Sequence, residues 1–173
     1  MVEKSDVEKV FFKELQWIKD EVLRNKVINV WKEAANRGNW KTLDDAPFTL
    51  LIKDSGKLID HTKRVTNLVK VICDQRTEDL NLDFLIAGAL LHDVGKLLEY
   101  EKKDGEFVIG NFGKKFRHPF SGALLAKEIG LPDGVILIIY SHSYEGDRIK
   151  RSPEAIIVNH CDFIDFEIKK SFQ

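Results

Sequence analysis

Leu90-Leu91-His92-Asp93-Val94-Gly95-Lys96 places a His-Asp pair at the end of Phe84 to Leu91, a run that is almost wholly apolar. A run with no polar face reads as an element buried on every side. A carboxylate ionised in such surroundings is costly unless it is paired or bound to a metal. Asp93 therefore needs a cationic partner. Either His92 and Asp93 hydrogen-bond each other at a helix end, or imidazole and carboxylate together hold a divalent ion such as zinc, iron or manganese. The helix is expected to begin near Asp83, after the polar Thr77-Glu78-Asp79 turn. Gly95 suits a left-handed helix cap, which would put the pair in the last turn and Lys96 just beyond it.

Outward from this pair, the other histidines are His61, His118, His142 and His160. They fall in different predicted elements, so only the fold can bring them together. Upstream, a helix is expected from Lys57 to about Asp74, with the stripe Leu58, His61, Val65, Leu68 and Ile72 at spacings of 3 and 4. His61 thus points into the core. Arg64, at i+3 from His61, either edges into the same cavity or pairs with Asp60 at the surface.

Downstream, Glu99 to Gly110 reads as a β-hairpin turning at Lys103-Asp104-Gly105. His118 precedes Pro119 at the entrance of a helix that runs to Ile129 and closes at Gly130. Val135 to Tyr140 is strand-like by local propensity. Ser152-Pro153-Glu154 opens a last helix that extends to about Lys169. Asp162 and Asp165 share one of its faces, and either can supply a terminal carboxylate. His160 lies roughly 200° round the helix from Asp162 and reads as structural or surface.

Ahead of these elements, Val7, Val10, Phe11, Leu15 and Ile18 predict a helix over Asp6 to Lys19. A second is predicted from Glu21 to Asn36, stopping at Gly38, and Trp40 to Pro47 reads as a loop. Residues 1–54 contain neither His nor Cys. They are expected to pack on or extend the core of residues 55–173 within one structural domain, with a homodimer through these helices left open.

Hydrophobic content of 43% and charged content of 32% describe a globular chain able to build a core. The net charge of −1 lacks the basic excess of most nucleic-acid binders, so an extended strand is an unexpected partner. Cys73 and Cys161 sit inside apolar helical patterns and read as buried thiols of a reducing compartment. Met1 to Asp6 has no apolar signal core, and no apolar run approaches the ~20 residues of a membrane span. The expected compartment is the cytoplasm.

The order H…HD…H…H…D, with His-Asp-Val-Gly-Lys at its centre, resembles the HD superfamily of metal-dependent phosphohydrolases from about Ser55 to Phe166. The resemblance implies an all-α, single-domain helical bundle, with the hairpin inserted after the HD helix and Val135 to Tyr140 helical. It implies a site for one or two divalent transition-metal ions (iron, manganese, zinc, nickel or cobalt). His61, His92, Asp93 and Asp162 match the ligands of one ion. His118 and His142 match the positions that hold a second, with Asp93 bridging. It also favours Asp162 over Asp165 as the last carboxylate.

The implied activity is hydrolysis of a small, nucleotide-like phosphoester, a phosphomonoester or a cyclic phosphodiester, by a metal-activated water. Asp93 would orient the nucleophile, and Lys96 would donate to a phosphoryl oxygen. Arg64 and Arg117 are further substrate-binding candidates. Family members acting on cyclic dinucleotides carry a His-His pair where this chain has Ser141-His142, and a Gly-Tyr-Pro element that it lacks. Related HD-type proteins include di-iron oxygenases, single-strand nucleases and nucleotide-sensing modules, and these stand as the alternatives.

Overall fold

In the computed structural model, which describes Met1 to Gln173, the chain begins with α1 (Lys4–Val10), α2 (Phe12–Leu15) and α3 (Glu21–Arg37). After a 3-10 turn at Leu43–Asp45 come α4 (Leu58–Asp74), α5 (Leu82–Leu91) and the short α6 (Lys96–Glu99). A hairpin of β1 (Tyr100–Lys103) and β2 (Glu106–Ile109) follows. The chain closes with α7 (His118–Glu128), α8 (Asp133–Ser141) and α9 (Pro153–Ser171). No helix is long and apolar enough to cross a membrane.

Helix α5 is the axis, packed by α3, α4, α8 and α9. Leu85 to Leu91 are buried all round, as an apolar run without a polar face requires. Side-chain caps fix three starts: Asp20 accepts from Val22 and Leu23 N–H, Asn81 from Phe84 N–H, and Ser152 from Ala155 N–H. Val135 to Tyr140 lies in a helix despite its β-branched residues. Burial of Val135, Ile138 and Ile139 against α5, α7 and α9 outweighs a weak local preference. The hairpin pairs Tyr100 with Ile109 and Lys103 with Glu106, and it turns on Asp104 and Gly105, both at positive φ.

Two local expectations need correction. The single helix over Asp6 to Lys19 is broken at Phe11, whose φ of −108° and ψ of 28° leave the helical region. The break lets a fully buried Phe11 tilt against Trp31, with ring centroids 4.9 Å apart. Gly95 is not left-handed; its φ is −63°. It is glycine because a Cβ there would lie 2.1 Å from the His118 carbonyl oxygen, so α7 can approach only a bare backbone.

The N-terminal segment is stitched to the HD turn. Beyond Leu91 the chain tightens into i+3 bonds, Val94 N–H to the Leu91 carbonyl and Lys96 N–H to that of Asp93. Nearby carbonyls that the tightened turn leaves unpaired find tryptophans instead. Trp31 Nε1 donates to the Leu90 carbonyl at 2.9 Å, and Trp40 Nε1 to that of Leu97 at 2.7 Å. One apolar core runs from Val2 to Cys161. Both cysteines are free thiols; Cys161 is buried, whereas Cys73 is only half-buried.

Candidate metal centre

The fold brings four of the five histidines together and orients each in the same way. His61 Nδ1 lies 2.7 Å from Asp165 Oδ2, His92 Nδ1 2.7 Å from the Ala89 carbonyl, and His142 Nδ1 2.7 Å from that of Ile139. His118 Nδ1 lies 2.8 Å from Glu99 Oε2. Each partner is an acceptor, so in the neutral imidazole each Nδ1 carries the proton and each Nε2 presents a bare lone pair. A second acceptor of this kind is the usual means of fixing a metal-ligating imidazole.

All four Nε2 atoms converge on Asp93. Oδ2 of Asp93 lies 3.3 Å from His61 Nε2 and 3.4 Å from His92 Nε2. Its Oδ1 lies 3.3 Å from His118 Nε2 and 3.5 Å from His142 Nε2. Asp162 Oδ1 completes the first set, 3.2 Å from His61 Nε2 and 3.8 Å from His92 Nε2. Ligand atoms about 2.0–2.2 Å from a shared centre must themselves sit roughly 3.0–3.5 Å apart, close to what these two sets display.

The charges call for a cation. His61 Nε2 faces His92 Nε2 at 3.1 Å, two lone pairs that repel unless a positive charge lies between them. Burial disfavours protonation of His61, yet hydrogen bonds to Asp162, Asp165 and Asp93 outweigh it and lift the imidazole to about 9, so a proton on His61 supplies that charge wherever a metal ion does not. Asp93 is 1% exposed; burial opposes its ionisation, but Lys96 and the surrounding imidazoles of His92, His142 and His61 hold it well below the usual carboxylate range. His142 Nε2 is a buried nitrogen with no hydrogen-bond partner at all. Buried polar atoms are rarely left so. The donor set thus fits metal ligation, with Asp93 common to His61, His92 and Asp162 and to His118 and His142.

Around this centre lies a cavity of about 200 Å³. Asp93, Asp162, His118 and Lys96 form its floor, and Phe48, Tyr144, Phe163 and Phe166 are among its walls. Lys96 is buried, with Nζ 2.5 Å from Asp93 Oδ2 and 4.7 Å from the centroid of the Phe48 ring. Burial would strip its proton, but the Asp93 carboxylate outweighs that and raises its pKa.

The remaining predicted positions separate. Arg117 lines the cavity, paired with Glu99 at 3.2 Å and Glu145 at 3.3 Å. Arg64 is not among the cavity-lining residues, and it does not pair with Asp60. Its Nε and Nη2 grip the two oxygens of Asp165 at 2.6 and 2.9 Å. Asp165 therefore stands behind His61, on the far side from Asp162. His160 is exposed. Sequence reasoning missed Glu99 and Phe48; the Phe48 ring stacks on His61 at 3.7 Å. Asp165 carried a signal in its i+3 spacing from Asp162, whereas nothing local marks a loop phenylalanine or the glutamate before a hairpin.

Comparison with known proteins agrees with this geometry. The dihydroneopterin 2′,3′-cyclic phosphate phosphodiesterase of Methanocaldococcus jannaschii is 36% identical over 166 residues, 87% of this chain and 66% of that protein. Ribonuclease Y of Pseudothermotoga lettingae is 30% identical over 141 residues, 76% of this chain and 25% of that one. The chain thus spans just under two thirds of the first relative and a quarter of the second. No solved structure matches it. The HD domain matches residues 58–166, which include all six converging His and Asp residues, and this chain belongs to the HD-domain family.

Proposed function

We propose that the protein is a metal-dependent phosphohydrolase of a small phosphoester, with a cyclic phosphodiester carrying a flat heteroaromatic group as the best-fitting substrate. The observation that carries this reading is the division of Asp93, one carboxylate oxygen toward each set of bare imidazoles. His61, His92, Asp93 and Asp162 would hold one ion, and Asp93, His118 and His142 a second. Bound there, such ions supply Lewis acidity and a nucleophile at neutral pH.

The chain's own groups do the rest. Lys96 carries three N–H donors; Asp93 engages one, which leaves donors for a phosphoryl oxygen. The ammonium is held in place before substrate arrives, so it stabilises transition-state charge without reorganisation. Arg117 at the cavity wall is the second cation. Phe48, Phe163, Phe166 and Tyr144 offer apolar faces to a planar ring and exclude water from the ester. The name of the archaeal relative, a 2′,3′-cyclic phosphate phosphodiesterase, supports a substrate of this class. A small cavity and a net charge of −1 favour one phosphoester over a long strand.

The test is hydrolysis of a 2′,3′-cyclic mononucleotide by protein loaded with manganese or iron(II), followed by phosphorus NMR. Ring opening to a monoester is expected in the wild type and should be absent from Asp93→Asn. Equal turnover by the two proteins would overturn the proposal.

A further inference from the structure

Tyr100 belongs to none of the ligand sets, yet its ring lines the cavity beside Lys96 and Asp93. The residue is only 6% exposed, yet its hydroxyl makes no hydrogen bond to any protein atom and is not among the buried polar atoms left without a partner, so it opens onto the cavity. A tyrosine with its apolar body packed and its hydroxyl open to a cavity is free to bond whatever occupies that cavity. The backbone around it is rigid. Tyr100 caps α6, with its N–H on the Lys96 carbonyl, and its Cα pairs with Ile109 in the hairpin. The side chain thus faces the cavity from an element fixed at both ends.

The neighbours narrow what that occupant can be. Asp93 and Lys96 already satisfy each other at 2.5 Å, and Glu99 is taken by His118 and Arg117. Burial, with Asp93 and Glu99 nearby, pushes the phenol up, against the opposing pull of Lys96 and Arg117. The group therefore enters the cavity as a neutral O–H donor. Two cations, Lys96 and Arg117, line the same cavity, and the carboxylates that line it too, Asp93, Glu99 and Asp162, are each engaged by a cation or an imidazole. An oxyanion is the acceptor such a wall attracts.

We infer that Tyr100 is a further catalytic residue whose hydroxyl donates a hydrogen bond to a phosphoryl oxygen of the bound substrate, alongside Lys96. This rests on the phosphohydrolase reading. It differs from Lys96 in kind: the phenol adds direction and no charge, and it needs no internal partner to stay folded.

The test compares wild type and Tyr100→Phe, both metal-loaded, with inorganic phosphate as the calorimetric probe and a 2′,3′-cyclic mononucleotide as substrate. The variant should keep its metal content and its Tm, since no internal hydrogen bond is lost. Phosphate should bind about 10-fold more weakly, and kcat/KM should fall by roughly 10- to 100-fold, the range for one hydrogen bond to a charged group. Unchanged phosphate affinity and kcat/KM in the variant, with an active wild type, would overturn the role of Tyr100 and leave the phosphohydrolase reading standing. A metal-loaded wild type that neither binds phosphate nor opens the ester would overturn both. A Tm several degrees lower would assign the hydroxyl to the fold instead.

Discussion

The two halves of the centre share Asp93 but are built differently. Around Oδ2, His61 and His92 are joined by a second carboxylate, Asp162, and Asp165 braces His61 from behind. Around Oδ1, Glu99 likewise braces His118 from behind, but no second carboxylate meets the Nε2 atoms of His118 and His142, and His142 Nε2 is left without a partner. The first half is a complete, charge-rich ligand set. The second is complete only through the first, because its sole anionic ligand is borrowed. Hard divalent cations bind more tightly where more anionic oxygen meets them, so the halves should differ in affinity. His118 of one half and Asp162 of the other both line the cavity, so both halves face it.

Removing the shared group should have the largest effect. Asp93→Ala is expected to empty both halves and take hydrolysis to background, read by elemental analysis and turnover. It also leaves the buried Lys96 ammonium unpaired, which typically costs ~3–5 kcal/mol, so Tm should drop sharply. Asp93→Ala/Lys96→Met should recover much of that stability without recovering metal. Metal content unchanged in Asp93→Ala would end the comparison, since no group would then be shared.

Substitutions within one half should separate the two. His92→Ala is expected to strip the Oδ2 set and weaken the other, because Asp93 loses a neighbour that holds it in place. His118→Ala should spare the Oδ2 set and lose only the ion held by the Oδ1 set. Equal residual metal in these two variants would mean that the halves are not ranked as their charges suggest. The bracing acids offer a finer version. Asp165→Asn should weaken metal binding to the Oδ2 set, and Glu99→Gln to the Oδ1 set, each by about 10- to 100-fold.

The converging residues were legible in the sequence, and most of what surrounds them was not, for a physical reason. His61 sits on an apolar stripe and the HD pair ends an apolar run, so periodicity reads them as buried; that His118, His142 and Asp162 join them came from the resemblance to the HD superfamily. The turn at Asp104-Gly105 and the cap at Ser152 are equally local. By contrast, Glu99 and Phe48 matter because of what they touch from 19 and 13 residues away in the chain, and spacing does not encode such contacts; for Asp165 spacing marked the shared face with Asp162 but not the bond to His61, 104 residues away. Gly95 shows the same limit. A helix-ending glycine and a glycine that admits another helix look alike until the His118 carbonyl is placed against it. Likewise the β-branched run before Tyr140 follows its burial in the bundle and not its own preference.

The smallest effect expected is at Arg64, and it sharpens the comparison by testing how far outward the first half extends. Its guanidinium holds Asp165 bidentately, yet the side chain is 49% exposed. Arginine pairs at such surfaces contribute about 0–1 kcal/mol and are screened by salt. Arg64→Ala should therefore lower stability by less than ~1 kcal/mol, with the difference shrinking as salt is added. Asp165 keeps its bond to His61, so metal affinity should change little. Because Arg64 lies outside the cavity lining, KM should not move either. Arg117→Ala is the matched control: that arginine lines the cavity, and its loss should raise KM. A raised KM in Arg64→Ala would mean that substrate reaches round Asp165 to the surface, and the boundary of the site would have to be redrawn to include α4.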